Sequence, residues 1–311
     1  MTGLLNLIRR DRRLFFKDKG MFFSSLITPL VLLVLYVTFL GNVYRDSFVG
    51  AMPQGFAVDD ALIDATVGGE LISSLLAVSC VTVAFCSNLL MVQDRVTGAI
   101  GDLTVSPVRR STVALAYFCA SALTTLIVSF TALGVCLLYL LKMGWYLSFG
   151  DVLLIALDVL LLTLFGVALS SCVNFPLKTN GQASAVGTIV SAGYGFLCGA
   201  YMPISSFSDG LQKVLSFLPG TYGTSLLRNH CLGGVYREMA RVGFPDEVVE
   251  GIRDSIDCNL YFFGDKVEIS VMYLILGGSV ILFVALYVLM NMLHRRKGRS
   301  AAAGGAAAKS A

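Results

Sequence analysis

Two carboxylates pose the first chemical question in this chain. Asp158 is the only ionisable side chain well inside an apolar span, and Asp151 lies one heptad earlier at the outer end of that span. On a helix the two face nearly the same way. An acid in a membrane span is by default a functional group. With no basic residue read at matching depth, a protonated or hydrogen-bonded structural role stands beside it. Little other chemistry is encoded. His230 and His294 are isolated, no cysteine or histidine spacing resembles a metal site, and no convergent nucleophile or acid/base set suggests an enzyme acting on lipid. The GxxxxGK[ST] loop is missing, so nothing in this chain cradles the phosphates of ATP with its Mg. Six cysteines (Cys80, Cys86, Cys119, Cys136, Cys172 and Cys198) fall in apolar spans and read as packing residues. Cys231 and Cys258 fall in the segment read as outer, an oxidising side, and are candidates for a disulfide pinning that loop.

The elements that would position these residues are membrane spans. The chain is 56% hydrophobic and only 14% charged, with a mean hydropathy of +0.78, which excludes an ordinary soluble fold. The apolar runs give six spans: Ser24 to Tyr44, Gly69 to Val92, Val113 to Leu141, Asp151 to Asn174, Ala183 to Met202 and Ile269 to Met292. Residues 1–292 thus form a single transmembrane domain, all-α in class, and 293–311 a basic and then low-complexity tail expected to be disordered from Ser300 onward. Lys and Arg concentrate in the amino-terminal arm, Gln93 to Thr112, Phe175 to Gln182 and the tail, which places both termini in the cytoplasm. With charges sorted by side of the membrane, the net charge of +3 carries no nucleic-acid reading.

Residues 1–20 hold Arg9, Arg10, Arg12, Arg13, Lys17 and Lys19. Leu4, Leu7, Ile8, Leu14 and Phe15 share one helical face, Arg9, Arg10, Arg13 and Lys17 the other, and Asp11 fits neither. The arm is an interfacial helix on the inner leaflet or a plain positive-inside anchor. In the fifth span Ser191, Gly195 and Gly199 form a small-residue stripe that admits close approach of a helix, from the same chain or a second copy.

Two segments outside the spans carry more. In the first, residues 93–112, Val96, Ala99, Ile100 and Leu103 recur at one-face helical spacing, with Asp94, Arg95, Gly98 and Asp102 on the remaining surface and Ser106 and Pro107 as a stop. Arg109 and Arg110 follow. This suits a short amphipathic helix pressed against a cytoplasmic partner or lying on lipid headgroups. In the second, residues 203–268, Phe207, Leu211, Val214, Leu215 and Leu218 share a helical face between Pro203 and Pro219. That stretch is too short for a crossing of about 20 residues, so it reads as an outer re-entrant hairpin and gate. Pro245 to Asp257 reads as a small surface helix buried through Val248, Val249, Ile252 and Ile256.

Taken in order, these features resemble the membrane subunits of type-2 ATP-binding-cassette exporters. The resemblance is carried by Asp94, Arg95, Gly98, Asp102, Leu103, Ser106, Pro107, Val108 and Arg109, and by Met202, Pro203, Leu218, Pro219, Tyr222, Leu227 and Arg228. It implies a permease that forms a homodimer, or pairs with a related permease, in the cytoplasmic membrane. It also implies cytoplasmic ATPase subunits docking near Asp94, Arg95, Gly98, Asp102, Leu103, Pro107 and Arg109, and an outer gate at Met202, Pro203, Leu218, Pro219 and Tyr222. The second and fifth spans would lie near the dimer axis, with Thr82, Phe85, Asn88, Thr188 and Ser191 meeting substrate; ordinary helix packing is the competing reading for each. The cargo would be a lipophilic or amphiphilic drug, lipid or peptide, with polysaccharide or glycolipid as the alternative. A gradient-driven secondary transporter is the competing class, but it would show paired broken spans and more embedded ionisable groups.

Overall fold

The computed structural model describes residues 2–50, 59–105 and 109–309. Its axis is α4 (Asp60–Val96), a helix of 37 residues and so about 55 Å long. Asp59 caps its start by accepting the Ala61 amide at 3.2 Å, and Gly98, with φ at 80°, stops it by taking the left-handed turn that side-chain-bearing residues avoid. Between these ends the small and β-branched residues Ala77, Val78, Val81 and Ala84 leave no exposed face. A helix apolar on every side must be surrounded, and α4 packs most extensively against α6, α7, α10, α2 and α8.

Around it stand α6 (Arg110–Met143), α7 (Phe149–Asn174), α8 (Asn180–Leu197), α10 (Pro219–Val242) and a segment made of α2 (Lys19–Leu35), a π-helical stretch (Tyr36–Leu40) and α3 (Gly41–Gly50). α12 (Ile269–Lys309) packs on α7 and α10, and it runs helical through the region expected to be disordered from Ser300. By length and composition, four helices among the described residues can cross a membrane: α4, α6, α7 and the Ile269–Leu293 part of α12. A fifth is reached if α1 (Thr2–Lys17) and α2, which meet at 70°, count as one bent span. The fifth apolar run expected from sequence forms α8, whose Asn, Gln, Gly and Ser residues leave it less apolar than those four. α1 lies along α6, with Phe15 and Asp11 buried.

The segment 203–268 departs from the expected single helix between prolines. After a 3-10 turn at Ile204–Ser206 comes α9 (Asp209–Leu215), only seven residues long. Pro219 does not break a helix but opens one, occupying the first turn of α10, where the missing amide of proline costs nothing. α10 is 24 residues long and buried along most of its length. Its sequence, PGTYGTSLLRNHCLGG, shows no single apolar stripe because buried leucines, Leu226, Leu227 and Leu232, alternate with Arg228, Asn229 and His230, which meet polar partners. α11 (Asp246–Ser255) and a two-stranded hairpin, β1 (Tyr261–Phe262) with β2 (Asp265–Lys266), close that end. Ile252 and Ile256 pack there with Leu62, Tyr236 and Met239, and Val248 and Val249 lie against the same cluster. α11 sits near the start of α4 and α5 (Ala99–Val105) near its finish, so the two lie at opposite ends of the molecule.

Candidate functional site

At the α5 end, the residues expected to dock a partner divide into two groups. Asp94 is buried and faces inward: it accepts from Arg10 Nη1 at 2.7 Å, from Arg10 Nη2 at 3.1 Å and from the Tyr117 hydroxyl at 2.5 Å, tying α1, α4 and α6 together. Arg95 donates to the carbonyls of Phe175 and Leu177 and lies over the Phe175 ring. Gly98, Gly101, Asp102 and Arg109 are exposed, and Leu103 is half-buried towards Met91 and Tyr117. What this end presents outward is therefore the turn at Gly98 and the polar face of α5, held by Asp94 and Arg95 from behind. Ser106, Pro107 and Val108 lie outside the described residues.

At mid-molecule the structure gathers the outer-gate residues into one turn-rich unit. Met202 and Pro203 follow α8, Leu218 caps α10, Pro219 begins it, and Tyr222 donates to the Ser216 carbonyl at 2.5 Å. Thr221 Oγ1 lies within bonding distance of the carbonyls of Leu197, at 3.3 Å, and Leu215, at 3.1 Å, so the ends of α8 and α9 are fastened to the start of α10. Val214 and Phe217 remain exposed on this unit.

Above it lies a polar network that the sequence reading missed. Arg228 on α10 is fully buried and donates to the Gly199 carbonyl at 2.6 Å and Ser74 Oγ at 3.2 Å, with Asp257 Oδ2 at 3.4 Å. Asp257 also accepts the Ile204 amide at 2.6 Å. Three separate segments thus converge on one guanidinium of α10, whose planar fork supports several directed bonds at once. Glu70, placed by sequence at the rim of the second span, is buried beside this network.

Asp158 corrects the reading of an acid without a basic partner. Its Oδ2 lies 2.6 Å from His230 Nδ1, and its Oδ1 accepts the Tyr273 hydroxyl at 2.6 Å. His230, read as isolated in an outer loop, instead sits on α10 facing α7, its ring stacked on that of Tyr273. Asp151, which caps α7 through Ser148, also pairs with Arg237, about two turns further along α10. Acid–base pairs at two levels therefore join α7 to α10. No sequence spacing announces this, since α10 was taken for loop.

The five residues expected along a substrate path do not share a surface. Thr82, Phe85 and Asn88 are buried inside the chain's own bundle; Asn88 donates to Ser170 and Ser171 hydroxyls at 2.8 Å each. Thr188 is exposed and Ser191 half-buried on α8. The small-residue stripe serves the same chain at Gly195, where the Tyr201 ring occupies the space of a side chain. The expected disulfide is not formed. Cys231 and Cys258 are free, buried thiols in different clusters, Cys231 among the span residues and Cys258 3.1 Å from the Tyr236 hydroxyl. Outside the spans, Lys266 pairs with Glu250 and holds that carboxyl below the usual range. No group of side chains suited to a metal ion occurs among the described residues.

Long apolar helices around a fully buried axis, with polar groups turned inward, define a multi-pass helical membrane protein. Residues 2–231 match the family described as ABC-2 type transporter, and the chain belongs to that family of transport permease domains, which typically pair with ATPase subunits. No curated protein matches the chain.

Proposed function

We propose that this chain is the permease subunit of an ATP-driven exporter. It would work as a homodimer, or with a related permease, in the cytoplasmic membrane with both termini inside, and ATPase subunits in separate chains would dock on α5. The observation that carries this reading is the short α5 with Asp102 exposed at one end of the 37-residue axis, with the outer-gate turn and the α11 cap towards the other. In the six-crossing topology that follows, α2 with α3 is the first span and α8 the fifth, and the turn from Met202 to Tyr222 is the re-entrant element. ATP-driven movement of the docked subunits would push α5, and α4 would pass the displacement to α10 through Ser74 and Arg228, as a rigid-body switch between two packings. The cargo is lipophilic or amphiphilic, consistent with the apolar outer surfaces of α6, α7 and α12.

The test is charge reversal on the exposed face. Asp102→Arg should leave the protein in the membrane, because Asp102 is exposed on α5. It should nevertheless abolish capture of the ATPase and substrate-stimulated hydrolysis in the reconstituted complex. A bulky basic residue at Gly98 should act in the same direction, with added backbone strain from its positive φ. Unchanged ATPase binding and export in the Asp102 variant would overturn the docking assignment.

A further inference from the structure

A cavity of about 990 Å³ opens between α6 and α12 at the α5 end of the molecule, at the upper end of the size of small-molecule sites. Its base is aromatic: Tyr287 stacks on Phe118 and donates to the Ala114 carbonyl at 3.2 Å. Val288 forms part of one wall and Ile100 of α5 part of another. Leu115 and Val288, both lining residues, are about half exposed, so the groove faces the side where hydrocarbon would lie.

Its two cations have no counter-charge among the described residues. Arg95 is half-buried and spends its donors on the carbonyls of Phe175 and Leu177, and neither it nor exposed Lys178 forms an ion pair among the described residues. The next residues of α12 in sequence are His294, Arg295, Arg296 and Lys297. A greasy slot with unneutralised positive charge at its rim selects one kind of guest, with an apolar tail and an anionic head. Basic pockets between spans on the cytoplasmic side are suited to acidic lipid headgroups.

The geometry points to this groove as a binding site for an anionic phospholipid of the inner leaflet, acyl chain along Tyr287 and Val288 and phosphate at Lys178 and Arg95. The inner-leaflet assignment rests on the orientation proposed above. Because Ile100 belongs to the wall, the bound lipid touches α5 and helps fix the helix proposed to receive the ATPase.

The full-length protein, purified with any co-purifying ATPase into phosphatidylcholine nanodiscs, is titrated with phosphatidylglycerol, and retained lipid is counted by native mass spectrometry. One phosphatidylglycerol per chain should be held in preference to phosphatidylcholine. Lys178→Gln should weaken that retention about 5-fold, since each basic group near a membrane surface is worth about 1 kcal/mol. Val288→Trp, which narrows the groove, should abolish it, and Leu153→Trp on the exposed face of α7 should leave it intact. Equal retention of the two lipids, or equal loss from the Leu153 and Val288 variants, would overturn the site. Capture of ATPase subunits by the unmodified protein is read separately, so the lipid site and the permease reading fail independently.

Discussion

The Asp158 carboxylate has no free face. Both oxygens are within hydrogen-bond distance of partners, His230 and Tyr273, and the side chain has no measurable exposure. A proton- or cation-carrying acid needs contact with water, whereas both Asp158 oxygens are engaged by protein groups and the side chain is fully buried, so a structural clasp between α7, α10 and α12 is the better account. Asp158→Asn preserves the shape and a hydrogen bond from Tyr273, and transport should survive it. His230→Ala leaves a buried acceptor short of a partner, which costs about 1–3 kcal/mol. Replacing both Asp158 and His230 by leucine should recover part of that loss, because an apolar pair avoids the cost of desolvating the acid. Chemical unfolding in mixed micelles would report all three, and loss of transport in a well-folded Asp158→Asn protein would return the residue to a functional role.

At the scale of elements, α10 decides how tightly the bundle closes. Gly234 passes so near the Tyr146 carbonyl that an added Cβ would overlap it, and Gly223 and Gly69 meet Leu162 and Leu232 with little room. The obstacle at Gly234 is backbone and cannot rotate away, whereas at Gly223 it is the tip of a leucine. Gly234→Ala should therefore destabilise more than Gly223→Ala, by about 1–3 kcal/mol as for other overpacked sites, while Gly210→Ala, with open space around it, should be nearly silent. Thermal unfolding of the three variants would rank them. The spans α4, α6, α7 and α12 were legible because hydrocarbon demands long unbroken apolar runs, and α5 and α11 because one face of each is apolar. α10 was not, because its burial is satisfied by Arg228, His230, Asn229 and close-packed glycines, a composition that in a single sequence is indistinguishable from loop. That one misreading also produced the unformed disulfide and the unpaired Asp158.

Across the whole molecule, the outward side of α8 stands out as an exposed surface of small residues with no partner among the described residues. The helix packs on α4 and otherwise presents Ser184, Thr188, Ala192 and Ile189, with Gly187 and Gly193 beside them and nothing filling the space where their side chains would be. Small residues at this spacing let two helices approach closely in a bilayer, which is what a second permease copy requires. The second span cannot serve in that way, because α4 is sealed inside its own chain. Thr82, Phe85 and Asn88, expected beside Thr188 at a shared axis, are thus reached only if the bundle itself opens. Cysteine pairing separates these positions. Seven of the eight native thiols are buried and Cys119 is half-buried, so Cys119→Ser provides a quiet background. In that background Thr188→Cys should cross-link two copies with a short bifunctional reagent in native membranes, and Asn88→Cys should not. A cross-link at Asn88 and none at Thr188 would place the second span at the axis and remove α8 from the dimer contact.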